Sequence, residues 1–253
     1  MADRISDAHF EPKPERYYAG SRTPLIDFYL QHRGVGGRAL DVGCGAGTLG
    51  AELLRRGFSE AHGVEPVPHV AQLAAEQLTS VINSVFPSEQ LEGLGRFDLI
   101  VFADSLEHML DPWTALRTAA TMLETGGALL LSVPNVSHWS VIRQLLEGRW
   151  DYVDEGLLDR THVRFFTPAT LRELLESTGF RLVAEQGMRG SIDDPSAKVS
   201  LQRTIADRAA FWFSLLFNPF LPVCSPRIER FLERFWPHTL VYQQYVVAVK
   251  ENK

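Results

Sequence analysis

The chain has 253 residues, 45 % apolar and 22 % charged, a balance that excludes a disordered chain, a collagen-like fibre and a coiled coil. Its length divides into one large domain or two small ones and is ample for a core without covalent staples. A formal charge of −6, from 25 Lys and Arg against 31 Asp and Glu, argues against nucleic acid as the main partner, while the two distant cysteines, Cys44 and Cys224, offer neither a disulfide framework nor a zinc spacing.

Residues 1–22 are polar and read as an arm, and residues 1–7 lack the apolar stretch of a signal peptide. Thr23-Pro24 opens a helix through about His32. Residues 38–42 form a short strand that runs into a glycine cluster. Leu49 and Leu53 place a helix on the following stretch, with Gly57 set to end it. Residues 61–65 read as the next strand, and Pro68 opens a helix with Val70, Leu73, Ala74 and Leu78 on one face. Residues 81–86 and 97–102 are further strands. Asp111-Pro112 starts a helix carrying Ala115, Leu116, Ala119, Met122 and Leu123, closed by Gly126-Gly127. The apolar run 128–133 is expected of a strand covered on both faces. Thr167-Pro168 opens a helix with Leu171, Leu174 and Leu175 inward and Gly179 as its cap. Residues 180–185 and 240–249 supply the last strands. The greasy stretch 211–223 contains Asn218 and two prolines and is too short to span a bilayer, so a cytoplasmic location is expected.

Strands interleaved with helices imply right-handed crossovers and a doubly wound α/β protein with a mainly parallel sheet. In such sheets ligands sit beyond the carboxyl ends of the strands, near the point where strand order reverses. The first such segment is the most informative. Asp41-Val42-Gly43-Cys44-Gly45-Ala46-Gly47 lies between a strand and a helix, where glycines let a ligand approach the backbone. Glu65 ends the second strand and can accept bonds from two ribose hydroxyls. A dinucleotide fingerprint fits poorly: the third glycine comes one residue early, Thr48 holds its place, and Asp41 sets a negative charge near a pyrophosphate. A ligand with an amino group suits Asp41 better. S-adenosylmethionine has that group, a carboxylate for the helix N-terminus and a ribose for Glu65.

From residues 40–47, Gly63-Val64-Glu65 and Phe97-Asp98-Leu99-Ile100-Val101, the sequence resembles the class I S-adenosylmethionine-dependent methyltransferases. Ser105-Leu106-Glu107-His108 with Asp111-Pro112 is similar to a segment of ubiquinone-type and related bacterial members. The resemblance covers residues 38–180 and implies a Rossmann-like, seven-stranded sheet whose last strand is antiparallel. It assigns the cofactor to Asp41, Gly43, Cys44, Gly45, Gly47, Glu65, Pro66, Asp104 and Ser105, with Cys44 a packing residue and no nucleophile. Where the family often has an acidic residue after the third strand for adenine, this chain has Asn83 and Ser84, whose amide and hydroxyl are the available substitutes.

Methyl transfer to a hydroxyl needs alignment and a base. His108 and Glu107 follow the fourth strand, and the imidazole is the natural base; the alternative is that both order the loop and wall the pocket. A second cluster, residues 157–167, ends an aromatic-rich insertion that includes His138, Trp139, Trp150 and Tyr152. Its wording is similar to bacterial methyltransferases of glycan pathways, which implies aromatic rings against a sugar face and His162 or Asp159 on a hydroxyl. The plainer reading pairs Arg164 with Asp159 and buries Phe165 and Phe166. Tyr17, Tyr18 and Arg22 are candidates to close over the methionine end. Residues 205–236 alternate aromatics with arginines and glutamates, and a helical subdomain packed on the sheet or on a second subunit of a homodimer fits them better than a membrane surface.

The sequence thus divides into an arm and helix, 1–37, and a methyltransferase domain, 38–249, with acceptor-side insertions at 136–166 and 188–238. The expected reaction is methyl transfer to a hydroxyl of a sugar or glycan-type acceptor. The rivals are a quinone or natural-product O-methyltransferase, an amino-sugar N-methyltransferase and a catalytically silent cofactor-binding partner. No metal-ligand cluster is legible.

Overall fold

The computed structural model describes residues 22–188 and 237–251. Tyr17 and Tyr18, most of the second insertion with the stretch 205–236, and Cys224 lie outside the described residues. In chain order the elements are α1 (Thr23–His32), β1 (Arg38–Val42), α2 (Thr48–Arg55), β2 (Glu60–Val64), α3 (Pro68–Ala75), β3 (Ser80–Ile82) and β4 (Phe97–Ala103). They continue with α4 (Pro112–Met122), β5 (Leu123–Pro134), α5 (Trp139–Leu146), α6 (Pro168–Ser177), β6 (Phe180–Met188) and β7 (Gln243–Lys250). No helix among the described residues is long and apolar enough to cross a membrane.

The strands form one sheet in the order β3-β2-β1-β4-β5-β7-β6. The first five are parallel, and β7 runs antiparallel between β5 and β6. This is the doubly wound arrangement expected from the sequence. Alternation along each strand sends side chains to opposite layers. Leu40, Ile100, Phe102, Leu129 and Leu131 pack under Ala115, Leu116, Leu171 and Leu174 of α4 and α6. Ala39, Leu99, Val101 and Leu130 pack under Leu25, Ile26, Leu49 and Leu53 of α1 and α2. Residues 128–131 of β5 are fully shielded, so truncating Leu130 to Ala costs about 2–5 kcal/mol.

Local signals set the helix starts. Asp111 Oδ1 accepts from the Thr114 N–H at 3.0 Å at the head of α4, and Thr167 and Thr170 cap each other reciprocally at the head of α6. Gly179, at φ +86°, ends α6 as its sequence position implies.

Four expectations need correction. Gly126-Gly127 does not close α4, because Leu123 is already buried and paired with Phe97 as the start of β5. Residues 124–127 bulge before the ladder resumes at Leu99 and Ala128, and Gly126 takes φ +82° in that bulge. Leu73 lies on the outer face of α3 and is 43 % exposed, because the helix turns Val70, Ala71 and Ala74 inward. The third strand stops at Ile82, and Phe86 packs edge-on against Phe102 instead of extending the sheet. The last strand begins at Gln243, after a tight helical turn at Pro237–Leu240.

The insertion after β5 folds over the carboxyl end of the sheet around Val141, Leu157 and Leu158, joined by Trp150, Phe165 and Tyr242. Phe166 instead enters the main core. Asn135 is the junction. Its buried amide nitrogen donates to the His238 and Val241 carbonyls at 2.8 and 2.7 Å, and its oxygen accepts from the Ser137 N–H at 3.0 Å.

Candidate active site

Strand order reverses between β1 and β4, so the segments leaving β1, β2 and β4 share one crevice. The glycine loop is pinned to β2 by the N–H groups of Gly43 and Cys44, which donate to the Val64 carbonyl at 2.8 and 3.1 Å. Gly43 has φ +75°, and a Cβ there would lie 2.8 Å from the Ser105 Cβ. Only glycine lets the two segments meet this closely. Gly47, at φ +85°, likewise leaves room for the Ala74 backbone.

Glu65 locks the loop and the exit of β2 together. One of its oxygens accepts from the Gly45 N–H and the other from the Val67 N–H, both at 3.0 Å. Burial raises its carboxyl above the usual range, and those two backbone bonds oppose the rise. Each oxygen has a second lone pair for a ribose hydroxyl. Asn83 donates to the Glu65 and Pro66 carbonyls at 2.8 and 3.0 Å, so its amide nitrogen shapes the turn. Ser84 follows it, with its N–H on the Ile82 carbonyl.

Asp41 is 2 % exposed, and its Oδ2 has no hydrogen-bond partner. Burial pushes its carboxyl up to about 7, with Glu65 adding to the rise and Arg22 opposing it. Asp104 is the one non-glycine residue with positive φ among the described residues, at +52°. Its Oδ1 accepts from Ser132 Oγ at 2.8 Å and from the Gln243 amide, while Oδ2 is paired with Arg22. Ser105 Oγ is buried and unpartnered beside Gly43. Cys44 packs with Ala61, Ala74 and Leu78, its sulfur against Gly63, and burial drives its thiol far above the usual range, in keeping with a packing residue.

This crevice fits S-adenosylmethionine. The orphaned Asp41 oxygen awaits a cationic donor, Ser105 offers a hydroxyl, and the glycine loop leaves backbone within reach.

Across β4, a tight turn at Leu106–His108 carries the second group. The Glu107 carbonyl accepts from the Val163 and Arg164 N–H groups at 2.9 and 3.0 Å, which ties the turn to the insertion. The Glu107 side chain is 1 % exposed with neither oxygen hydrogen-bonded. Burial, then the charges of Asp104 and Asp159, push its carboxyl well above the usual range, against Arg22. His162 Nε2 stands 3.9 Å from Glu107 Oε1, and the His108 ring meets His162 edge-on at 4.8 Å.

The Nδ1 atoms of His108 and His162 face the carbonyls of Thr161 and Leu157 at 3.1 and 3.2 Å. A carbonyl only accepts, so each Nδ1 carries the proton and each neutral ring is basic at Nε2. The ligating atoms of Glu107, His108 and His162 all lie within 4.8 Å of one another, a group able to hold a metal ion or to pass a proton. The sequence hid this cluster because His162 is distant from the other two along the chain.

Asp159 is buried and accepts from the Thr161 N–H and hydroxyl at 2.8 and 2.7 Å. The expected Arg164–Asp159 pair does not form; Arg164 reaches the Leu110 carbonyl and lies over the Trp113 ring. His138 caps α5 through Ser140 and packs edge-on against Tyr242. Trp139 is half-buried beside His138, and Tyr152 is 53 % exposed next to Trp150. Sequence reasoning missed Asn135, Ser132 and Gln243; an asparagine directly after the Pro134 strand end was the only available signal.

A family model described as a methyltransferase domain matches residues 15–185. A ubiquinone biosynthesis O-methyltransferase of Xanthomonas axonopodis pv. citri is 29 % identical over 196 residues, spanning 74 % of this chain and 80 % of the relative. One from Cereibacter sphaeroides is 33 % identical over 158 residues, 60 % of this chain and 63 % of the relative. Among solved structures, a SAM-dependent methyltransferase from Archaeoglobus fulgidus superposes with a TM-score of 0.58 at 18 % identity, covering 94 % of this chain and 97 % of its own. Magnesium protoporphyrin IX methyltransferase from Synechocystis PCC 6803, with bound SAH, gives 0.54 at 12 % identity over 96 % and 91 %. With this sheet order, this glycine crevice and a family match over most of its length, the chain belongs to the class I S-adenosylmethionine-dependent methyltransferases.

Proposed function

We propose that this methyltransferase acts on a hydroxyl of an aromatic, quinone-type acceptor, with His108 as the base. The observation that carries the chemistry is the His108–His162–Glu107 cluster, set beyond β4 and roofed by the insertion. The bound cofactor's contribution is an electrophilic methyl carbon. Asp41 is suited to its amino group and Glu65 to its ribose hydroxyls. His108, held in one tautomer by the Thr161 carbonyl, takes the hydroxyl proton at Nε2. His162, in the same tautomer and edge-on to His108, walls the base on the insertion side.

The sugar or glycan-type acceptor expected from the insertion motif has its aromatic residues in its favour. The two ubiquinone biosynthesis O-methyltransferases, each matched over more than half of the chain, weigh the other way. Purified protein with labelled S-adenosylmethionine and a panel of catechol-type phenols, glycans and amino sugars tests this. Label is expected in the phenol fraction. Label confined to the sugars overturns the acceptor, and no transfer to any member of the panel supports a silent cofactor-binding partner.

A further inference from the structure

Glu107 is the one carboxylate among the described residues with both oxygens buried and without a hydrogen-bond partner. Such a group calls for a partner from outside the chain. Nδ1 of His108 and Nδ1 of His162 donate to the carbonyls of Thr161 and Leu157, which places the lone pair of each ring on Nε2. One ligand atom from each of the three residues lies within 4.8 Å of the others, so a carboxylate and two imidazoles converge on one point. The surroundings are acidic: the charges of Asp104 and Asp159 also act on Glu107, with Arg22 opposing them.

We propose that Glu107, His108 and His162 form a binding site for a borderline-soft divalent cation, zinc above all, and that this ion caps the base and switches methyl transfer off. Two imidazoles and one carboxylate select such an ion over magnesium, which favours oxygen ligands and keeps its waters. Donors about 2.0–2.2 Å from zinc stand roughly 3.3–3.6 Å apart, so closing onto the ion asks a shift of about 1.5 Å or less. The Nδ1–H bonds to backbone carbonyls are the outer support that orients metal-binding histidines. The Val163 and Arg164 N–H groups, donating to the Glu107 carbonyl, hold the turn and the insertion together. The switch follows from a single lone pair, because His108 Nε2 cannot hold the ion and receive the hydroxyl proton at once. Inhibition therefore rests on the reading of His108 as the base, whereas the metal site stands without it.

Binding and inhibition are measured separately. Cobalt(II), a spectroscopic stand-in for zinc, is titrated into the metal-free full chain without acceptor, and zinc or magnesium is then added to displace it. Wild type is expected to take up a single ion per chain with a visible absorption band that zinc erases and magnesium does not. His162→Gln and Glu107→Gln should each weaken zinc by at least about 10- to 100-fold. Unchanged S-adenosylmethionine affinity in the same variants shows that they are folded. In turnover assays with the acceptor that the labelled panel identifies, zinc lowers the rate in step with occupancy and a chelator restores it.

No stoichiometric uptake, equal uptake of magnesium, or unchanged zinc affinity in the variants overturns the site. If one variant fails to fold, the other decides, together with the wild-type cobalt spectrum, which reports nitrogen ligands. Zinc bound here without loss of rate overturns the switch. A rate raised by zinc overturns both the switch and His108 as the base, and leaves the site in place.

Discussion

The two sides of the crevice are held together over very different chain distances. On the cofactor side, Glu65 reaches Gly45 across 20 residues and Asn83 reaches Glu65 across 18, all within one strand–helix–strand unit and its neighbour. On the acceptor side, His108 meets the Thr161 carbonyl across 53 residues, and Asn135 meets the Val241 carbonyl across 106. The glycine loop and Glu65 are thus joined locally, and on their side only Asp104 reaches far along the chain, to Gln243 across 139 residues. The acceptor side has no such local frame and rests on long-range bonds throughout. Short motifs therefore set the glycine-loop half, while tertiary contacts set the other.

The largest expected effect separates chemistry from cofactor binding. His108→Ala should lower kcat by at least about 100-fold while calorimetry shows unchanged affinity for S-adenosylmethionine. Loss of turnover on chelation, restored by a divalent ion, would transfer that work to a metal held by Glu107, His108 and His162. Next comes Asn135→Ala, which removes the buried amide from the His238 and Val241 carbonyls and from the Ser137 N–H. It should cost about 3 kcal/mol, read as a lower Tm, and raise the acceptor KM with little change in cofactor affinity. Equal damage to both sides would erase the distinction drawn above.

A smaller effect belongs to Asp41. Its carboxyl is pushed from the ordinary 3.8 up to about 7, so the folded state holds the proton more tightly than the unfolded chain. Without ligand, the contribution is fully present below about 4 and is lost as pH rises through about 7, by up to roughly 4 kcal/mol. Cofactor affinity should move the other way and rise over the same interval, because the ammonium prefers the ionised carboxylate. Asp41→Asn should flatten both curves, as urea titrations and calorimetry from pH 5 to pH 8 would show.

The same contrast explains what was legible. Asp41, the glycines and Glu65 are adjacent in sequence to the strand ends that position them, so motif and location are read together. Thr167-Pro168 and Asp111-Pro112 mark their helix starts for the same reason. Gly126-Gly127 misled because its helix-ending signal competes with the burial and pairing of Leu123, a tertiary effect. Glu107, His108 and His162 were each visible as candidates. Their convergence was not, because it depends on the bonds of Val163 and Arg164 to the Glu107 carbonyl. Arg164 was assigned to the wrong partner for a related reason: its charge favours any acid nearby in sequence, yet Asp159 is turned inward onto Thr161.

Asp104 gathers Arg22, Ser132 and Gln243 onto one carboxylate. Four stretches of chain, including the head of α1 and the start of β7, thus share a single polar knot at the crevice. Amides around this knot should open together in hydrogen exchange, as one cooperative unit. A ligand seated there slows exchange at the head of α1 and the start of β7 alike, so two elements far apart in the chain register the same occupancy.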